Sequence, residues 1–454
     1  MRLAELAEAR VAVWGYGREG RAALAALRRR FPHKQLTLIC AEQEAAGFHR
    51  DDKLQVITSP ADGATLKQFD VIIKSPGISP YQSPVSEAEA AGVRFTSGTA
   101  LWFAERPDAH TICVTGTKGK STVTALIAHI LRKSGKSVAL AGNIGWALLD
   151  LLEVAREPDW WVIELSSFQT RDFGGASSVA VINNLYEEHL DWHGTRERYL
   201  ADKLAIGDAA RALVVRAQPE LLARTARHPA LTVFGDIDGW HAREDGVWHG
   251  IERVLGIADI PLAGRHNVQN VCAALAALEA AGFDAKQLAA HVATFKALPH
   301  RLQSLGVRDG IEYVNDSIAT TPYSTIEALR SFAARAVTVI VGGFDRGVDW
   351  DCFADYVALN PPRAIVATGA NGARIVERLC AIESPGFMLV SASTLADALT
   401  TARTLTPANG MILLSPGAPS FDQYHDYIAR GREFARLAGF DPAAIAQIEG
   451  LGIA

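Results

Sequence analysis

Short apolar runs without polar alternation constrain this chain most. Val337–Val341 reads Val-Thr-Val-Ile-Val, and similar runs occupy Arg10–Trp14, Gln35–Cys40, Val71–Lys74, Thr111–Thr115, Trp160–Leu165, Val179–Asn183, Ala364–Thr368 and Met411–Ser415. Helical patterns separate them. A strand with no polar face is buried on both sides, which is the signature of parallel sheets covered by helices. The expected class is therefore α/β, with three largely parallel, doubly wound sheets.

The 454 residues suit three domains at about 150 residues each. Glu105, Arg106 and Pro107 interrupt the pattern near Ala104–Asp108. A second break falls near Leu298–Arg301, after a helix-like stretch from Asn267 to Gly282 and before the strand-like Ile311–Val314. The expected domains are 1–106, 107–298 and 299–454. Within the middle one, Trp240, Val247, Trp248 and Ile251 surround a Glu-Asp-Gly turn, so Gly239–Pro261 reads as a small antiparallel β insert.

Composition excludes several classes. With 49% hydrophobic and 21% charged residues the chain is not disordered. A net charge of −5 and a pI near 6.2 argue against nucleic acid or an anionic membrane as the main partner. Five cysteines, none in a Cys-x-x-Cys spacing, speak against a disulfide framework or a zinc knuckle. No apolar run is long enough for membrane insertion. The first strand begins almost at once, leaving no room for a signal peptide. A cytoplasmic monomer is expected.

Two glycine loops carry the chemistry. Gly15-Tyr16-Gly17-Arg18-Glu19-Gly20 lies between the first strand and a helix-like run. Such a loop lets a diphosphate approach the backbone at a helix N-terminus. With Glu42 after the second strand to hold a ribose, NAD is one reading, and an NAD-dependent oxidoreductase stays open at this point. Lys74-Ser75-Pro76-Gly77-Ile78 ends another strand, where ligands of open parallel sheets bind.

The second loop, Gly116-Thr117-Lys118-Gly119-Lys120-Ser121-Thr122, follows the strand Thr111–Thr115. It opens a helix with apolar Val123, Leu126, Ile127, Ile130 and Leu131. Backbone N–H groups there cradle phosphate, Lys120 neutralises it, and Ser121 reaches Mg²⁺. The spacing is shorter than the common phosphate loop, since position 114 is valine. Glu164, ending the strand Trp160–Glu164, offers a carboxylate for the same cation.

Glu187-Glu188-His189-Leu190-Asp191-Trp192-His193 follows another strand. His189 and His193 have the spacing of a zinc pair on a helix, but no third ligand is evident. A hard-metal and phosphate site at the sheet's carboxyl end fits better.

The ordered set resembles the Mur ligases. It comprises the second glycine loop, Gly142-Asn143-Ile144-Gly145, Glu164-Leu165-Ser166-Ser167-Phe168-Gln169, His189-Leu190-Asp191-Trp192-His193-Gly194 with Tyr199 and Lys203, and Gly264-Arg265-His266-Asn267 with Asn270. These are ATP-dependent amino-acid ligases of peptidoglycan synthesis, and the short first domain is similar to the glutamate-adding branch. The resemblance implies Rossmann-like first and third domains around a P-loop-type ATPase domain. It implies that Gly15, Tyr16, Gly17, Ser75, Pro76 and Gly77 hold the UDP part of UDP-N-acetylmuramoyl-L-alanine, with Asn143, Ser166 and Gln169 on the substrate. The first loop is thereby redirected from NAD to UDP. It implies ATP on Gly116–Thr122, Asn270, Arg301 and Asp316, with Lys120 on the phosphates. Ser121, Glu164, His189 and Lys203, the last as a carbamate, would serve Mg²⁺. Lys120, Glu164, His189 and Lys203 form the implied catalytic set, and the implied route is an acyl phosphate attacked by the amine of glutamate.

The third domain departs from the pattern. Asn315-Asp316-Ser317-Ile318-Ala319-Thr320-Thr321-Pro322 has Ile318 where D-glutamate-adding members carry lysine. Arg346 replaces a lysine in Gly342-Gly343-Phe344-Asp345-Arg346, and Ser415-Pro416-Gly417-Ala418-Pro419-Ser420-Phe421, with Tyr427 beyond, also differs. A planar guanidinium grips carboxylates differently from an ammonium. The pattern is similar to the variant that adds L-glutamate, so L-glutamate is expected on Thr320, Arg346, Ser420 and Tyr427. The same reaction with D-glutamate, or another ligase of the superfamily, is the alternative.

Overall fold

The computed structural model describes residues 1–45, 52–186, 188–445 and 447–453. β1 (Val11–Trp14), β2 (Leu36–Ile39), β3 (Leu54–Ile57), β4 (Val71–Lys74) and β5 (Arg94–Thr96) form a parallel sheet in the order β3-β2-β1-β4-β5. Side chains alternate across a strand. Val11 and Val13 therefore enter one core with Leu27 and Trp102, while Ala12 enters another with Leu66 and Phe69. Both faces are apolar because both are covered.

β6 (Thr111–Thr115), β7 (Val138–Gly142), β8 (Trp160–Glu164), β9 (Val179–Ile182), β10 (Ala212–Arg216) and β11 (Leu231–Phe234) build the second sheet, ordered β11-β10-β9-β6-β8-β7. These pairs are parallel, and a two-residue strand, Gly452–Ile453, adds antiparallel to β7. The expected insert is present as an antiparallel sheet of β12 (Trp240–Arg243), β13 (Gly246–His249) and β14 (Glu252–Gly256).

The helix Lys120–Lys133 shows how sequence sets an element here. Val123, Leu126, Ile127, Ile130 and Leu131 share its buried face at 0% exposure. Burying each contributes about 1.5–3 kcal/mol. Arg132 and Lys133 in the last turn complement the helix dipole.

β15 (Gln303–Arg308), β16 (Ile311–Asn315), β17 (Val337–Val341), β18 (Ala364–Ala367), β19 (Met388–Ser391) and β20 (Met411–Leu414) form the third sheet, ordered β15-β16-β20-β17-β18-β19. β15 is antiparallel to β16 and the other pairs are parallel. Val339, Val341 and Leu413 pack with Trp350 and Phe353 on one face. Ile340, Ile412 and Leu414 pack with Leu399 and Phe434 on the other.

The chain divides into two compact units. One comprises Met1–Asp259, Gln269–Ala293 and the segment from Gly450, and the other Ile260–Val268 and Thr294–Glu449. The first two sheets and the insert lie in the former, the third sheet in the latter. No helix among the described residues is long and apolar enough to cross a membrane.

Candidate active site

β6 sits between β8 and β9, so the loop after it lies at the carboxyl edge where the connections diverge. Ligands of open α/β sheets bind there. Gly119 caps the helix Lys120–Lys133 at φ +79°, and a Cβ on it would stand 2.4 Å from Asn270 Oδ1 and 2.5 Å from Asn183 Nδ2. Only glycine fits both demands. Lys120 Nζ donates to Thr117 O at 3.0 Å. Ser121 is buried and Thr122 half-buried in the first helical turn.

Two asparagines that motif reading did not single out brace this loop. Asn184 Oδ1 accepts from the Thr117 and Lys118 amides at 3.1 and 2.8 Å, and its Nδ2 donates to Lys118 O at 2.9 Å. Asn183 Nδ2 donates to Lys118 O at 2.9 Å and to Asn270 Oδ1 at 3.0 Å. Asn270 thus lies against the glycine loop at Gly119. The only signal in the sequence was an Asn-Asn pair closing an apolar strand.

Glu164 ends β8 at 1% exposure. Its Oε1 accepts from Asn143 Nδ2 at 2.8 Å, while Oε2 is buried with no hydrogen-bond partner among the described residues. An unpartnered buried carboxylate oxygen beside a phosphate loop suits a cation. Lys203, 3% exposed, donates from Nζ to Gly116 O at 2.8 Å. Burial, and then the charge of Lys120, hold its pKa well below the usual lysine range.

His189 stands at the mouth, with φ +59° and a half-exposed ring 5.1 Å from that of Phe168. Burial lowers its pKa although Glu188 pulls the other way. Glu188 takes the Lys118 ammonium at 2.5 Å. His193 does not share a metal face with His189. It is fully buried, with Nδ1 2.6 Å from Asp202 Oδ2 and Nε2 3.0 Å from Ser167 Oγ. Tyr81 OH also donates to Asp202, at 2.7 Å. Glu187 lies outside the described residues. Among the described residues no group of three or more His, Cys, Asp or Glu side chains forms a metal cage on its own. Glu164 and Ser121 nevertheless have the oxygen chemistry that Mg²⁺ takes when nucleotide supplies the remaining ligands.

A cleft of about 790 Å³ opens beside this centre. It is lined by Gly15, Gly17, Ser75, Pro76, Gly77, Asn143, Ser166 and Gln169, and also by Glu42. Ser75 Oγ donates to Gly15 O at 3.2 Å and joins the two first-sheet loops. Ser166 and Gln169 cap the helix Ser167–Arg171 reciprocally, and Gln169 Nε2 donates to Glu19 Oε1 at 3.3 Å. Tyr16 is placed differently from its neighbours: it packs against the core, with Arg21 5.8 Å from its ring centroid, and does not line the cleft. Below the loop after β4, the buried ammonium of Lys74 meets Asp172 at 3.0 Å.

In the other unit, the loops after β16, β17 and β20 surround the point where the third sheet changes direction. Arg346 Nη2 donates to Thr320 O at 3.2 Å. Ser420 is 2% exposed, and its Oγ has no hydrogen-bond partner among the described residues. The Tyr427 ring meets His300 edge-on at 5.9 Å. Arg430, not singled out from sequence, ties these loops together. Its Nη2 donates to Ser317 O at 2.8 Å and Ala418 O at 2.9 Å, and Nη1 to Pro419 O at 3.2 Å. Asp316 accepts from Ser415 Oγ at 2.8 Å and from the Leu302 amide at 3.2 Å, and burial pushes its pKa up to about 7. Arg301 follows His300 on the same stretch.

A phosphate loop beside a buried acid and a buried lysine defines an α/β enzyme that activates a nucleoside triphosphate. Comparison with known proteins narrows the class. Residues 114–278 match the Mur ligase middle domain. A UDP-N-acetylmuramoyl-L-alanine--L-glutamate ligase of Xanthomonas campestris pv. campestris is 50% identical over 468 aligned residues, covering 100% of both chains. A protein of the same description from a Micromonospora species is 37% identical over 96% of this chain and 97% of its own. The crystal structure of the UDP-N-acetylmuramate-alanine ligase MurC of Thermotoga maritima shares the fold, with a TM-score of 0.62 and 20% identity over 95% of this chain and 99% of that one. The chain belongs to the Mur ligase family and is an ATP-dependent amino-acid ligase. The resemblance carried by the motifs and the α/β class both hold.

Proposed function

We propose that this protein joins L-glutamate to UDP-N-acetylmuramoyl-L-alanine, driven by ATP, in peptidoglycan precursor synthesis. The observation that carries the reading is the Asn143–Glu164 hydrogen bond of 2.8 Å. It connects the wall of the 790 Å³ cleft to the carboxylate beside the phosphate loop, so a substrate lying in the cleft presents its end to ATP. The relatives that share the full length carry the same activity in their names.

The work divides over three proposed domains. Residues 1–106 bind UDP through the loops after β1 and β4. Residues 107–298 bind ATP on Gly116–Thr122, with Asn270 at the adenosine. Residues 299–454 hold glutamate through Thr320, Arg346, Ser420 and Tyr427, and supply Arg301 and Asp316 as nucleotide ligands. Ser121, Glu164, His189 and Lys203 are the residues that would hold Mg²⁺. Bound there, Mg²⁺ supplies positive charge against that building on the transferred phosphoryl group.

A carboxylate is a poor acyl donor. Transfer of the terminal phosphoryl group of ATP to the alanine carboxylate turns the oxygen into part of a leaving phosphate. The glutamate nitrogen then forms the amide bond as the C–O bond to phosphate breaks, and the amine loses a proton. Lys120 offsets charge on the phosphates. Lys203 is buried and held toward its neutral amine, the form that adds to CO₂ and loses a proton to give a carbamate. Asn143 orients Glu164.

Phosphate release from ATP is the test. The reading expects release only when UDP-N-acetylmuramoyl-L-alanine and glutamate are both present. Release with a folate acceptor in place of the UDP substrate would overturn it.

A further inference from the structure

The proposed UDP cleft must compensate a diphosphate, which carries at least two negative charges at neutral pH, yet its walls are mostly apolar or acidic. Among the described lining residues Arg18 is the sole basic side chain, against Glu19, Glu42 and Glu44. Arg18 is the first residue of the 13-residue helix Arg18–Arg30, directly behind Gly17. The helix dipole and the free N–H groups of its first turn therefore act at the same place as its guanidinium.

The side chain is also aimed across the cleft. Arg18 Nη2 donates to Asn143 O at 3.4 Å, so the guanidinium lies between the glycine loop and the residue that holds Glu164. Arg18 is exposed, and meeting a ligand there requires little desolvation. The neighbouring acids do not take its place. Glu19 accepts from Gln169 Nε2 at 3.3 Å, and burial raises its pKa. Glu42 and Glu44 lie in the short helix after β2, where Glu44 Oε2 accepts from the Ala41 amide at 3.0 Å.

We infer that Arg18 clamps the diphosphate of the UDP substrate and supplies the cleft's preference for a charged nucleotide over its nucleoside. This rests on the reading of the cleft as a UDP site and adds to it the residue that reads the charge. The planar fork of an arginine can pair with two oxygens of a phosphate at once, which a lysine cannot match.

Calorimetric titration of the full-length enzyme with UDP and with uridine tests the assignment on wild type, Arg18→Lys and Arg18→Ala. Arg18→Ala is expected to weaken UDP by about 10- to 100-fold, the range for a charge-assisted pair, and to leave uridine within about twofold. Arg18→Lys falls between. In turnover, KM for the UDP substrate rises while kcat and KM for ATP stay at wild-type values. Equal UDP affinity in wild type and Arg18→Ala overturns the assignment and leaves the cleft a UDP site. Wild-type protein that binds neither UDP nor uridine overturns both.

Discussion

Lys203 Nζ donates to the carbonyl of Gly116 at 2.8 Å, from a side chain with almost no exposure to water. The bond ties the helix Arg196–Asp208 to the start of the phosphate loop. A charged ammonium would be costly there, so the amine is held toward its neutral form. Lys203→Ala is predicted to lower ligase turnover by about 100- to 1,000-fold, the loss seen when one transition-state charge contact is removed. ATP affinity should be retained. Wild-type protein in ¹³C-labelled CO₂ should show a carbamate carbon resonance that Lys203→Ala lacks. Wild-type turnover by the variant would contradict this role.

Lys74 and Asp172 meet at 3.0 Å, and both side chains are buried. Lys74 also donates to Ile78 O at 2.8 Å, which fixes the loop after β4 against the central sheet's helix end. Asp172 Oδ1 also accepts from Arg171 Nη1 at 2.7 Å, so the lysine is the member stranded when the pair is broken. Removing Asp172 leaves a buried ammonium uncompensated, at about 3–5 kcal/mol. Asp172→Ala should lower the unfolding free energy by that amount in urea. A double variant that replaces both with apolar residues should recover most of it. A loss under about 1 kcal/mol would show that the pair is solvated.

His300 is 2% exposed and has φ +61°. Its Nδ1 faces Asn315 Nδ2 at 3.0 Å, and a Cβ on Gly431 would lie 2.2 Å away. Burial lowers its pKa from 6.5 to about 4. Between those values the unfolded chain binds the extra proton, so stability rises with pH across that window. The contribution is complete above pH 6.5 and is lost as pH falls toward 4. Its size is about 3 kcal/mol. Asparagine tolerates this backbone. His300→Asn should therefore unfold with a shallower dependence on pH between 4 and 6.5 than wild type. Parallel curves for the two proteins would exclude the imidazole as the source.

The strand-to-helix turn Gly116–Thr122 was legible because Gly-Lys-Ser directly follows an apolar strand and opens an apolar-faced helix. Asn183 and Asn184 were not, since their role depends on β9 lying against β6, a pairing across about 70 residues. Arg430 was hidden for the same reason: its partners Ser317 and Ala418 meet it only through the third sheet's crossover. In the first loop, the spacing marked Tyr16 along with its glycines, but packing turns that ring to the core. The neighbouring Arg18, with no motif position of its own, lines the cleft. The insert was readable from its tryptophans and turn, because an antiparallel hairpin is a local structure.

The central claim is the addition of L-glutamate to the UDP precursor, with Thr320 and Arg346, joined through a 3.2 Å hydrogen bond, proposed to hold the glutamate. The most direct measurement compares phosphate release from ATP with UDP-N-acetylmuramoyl-L-alanine and either L-glutamate or D-glutamate. The account predicts release with L-glutamate and little with D-glutamate. Equal or faster release with D-glutamate would contradict it.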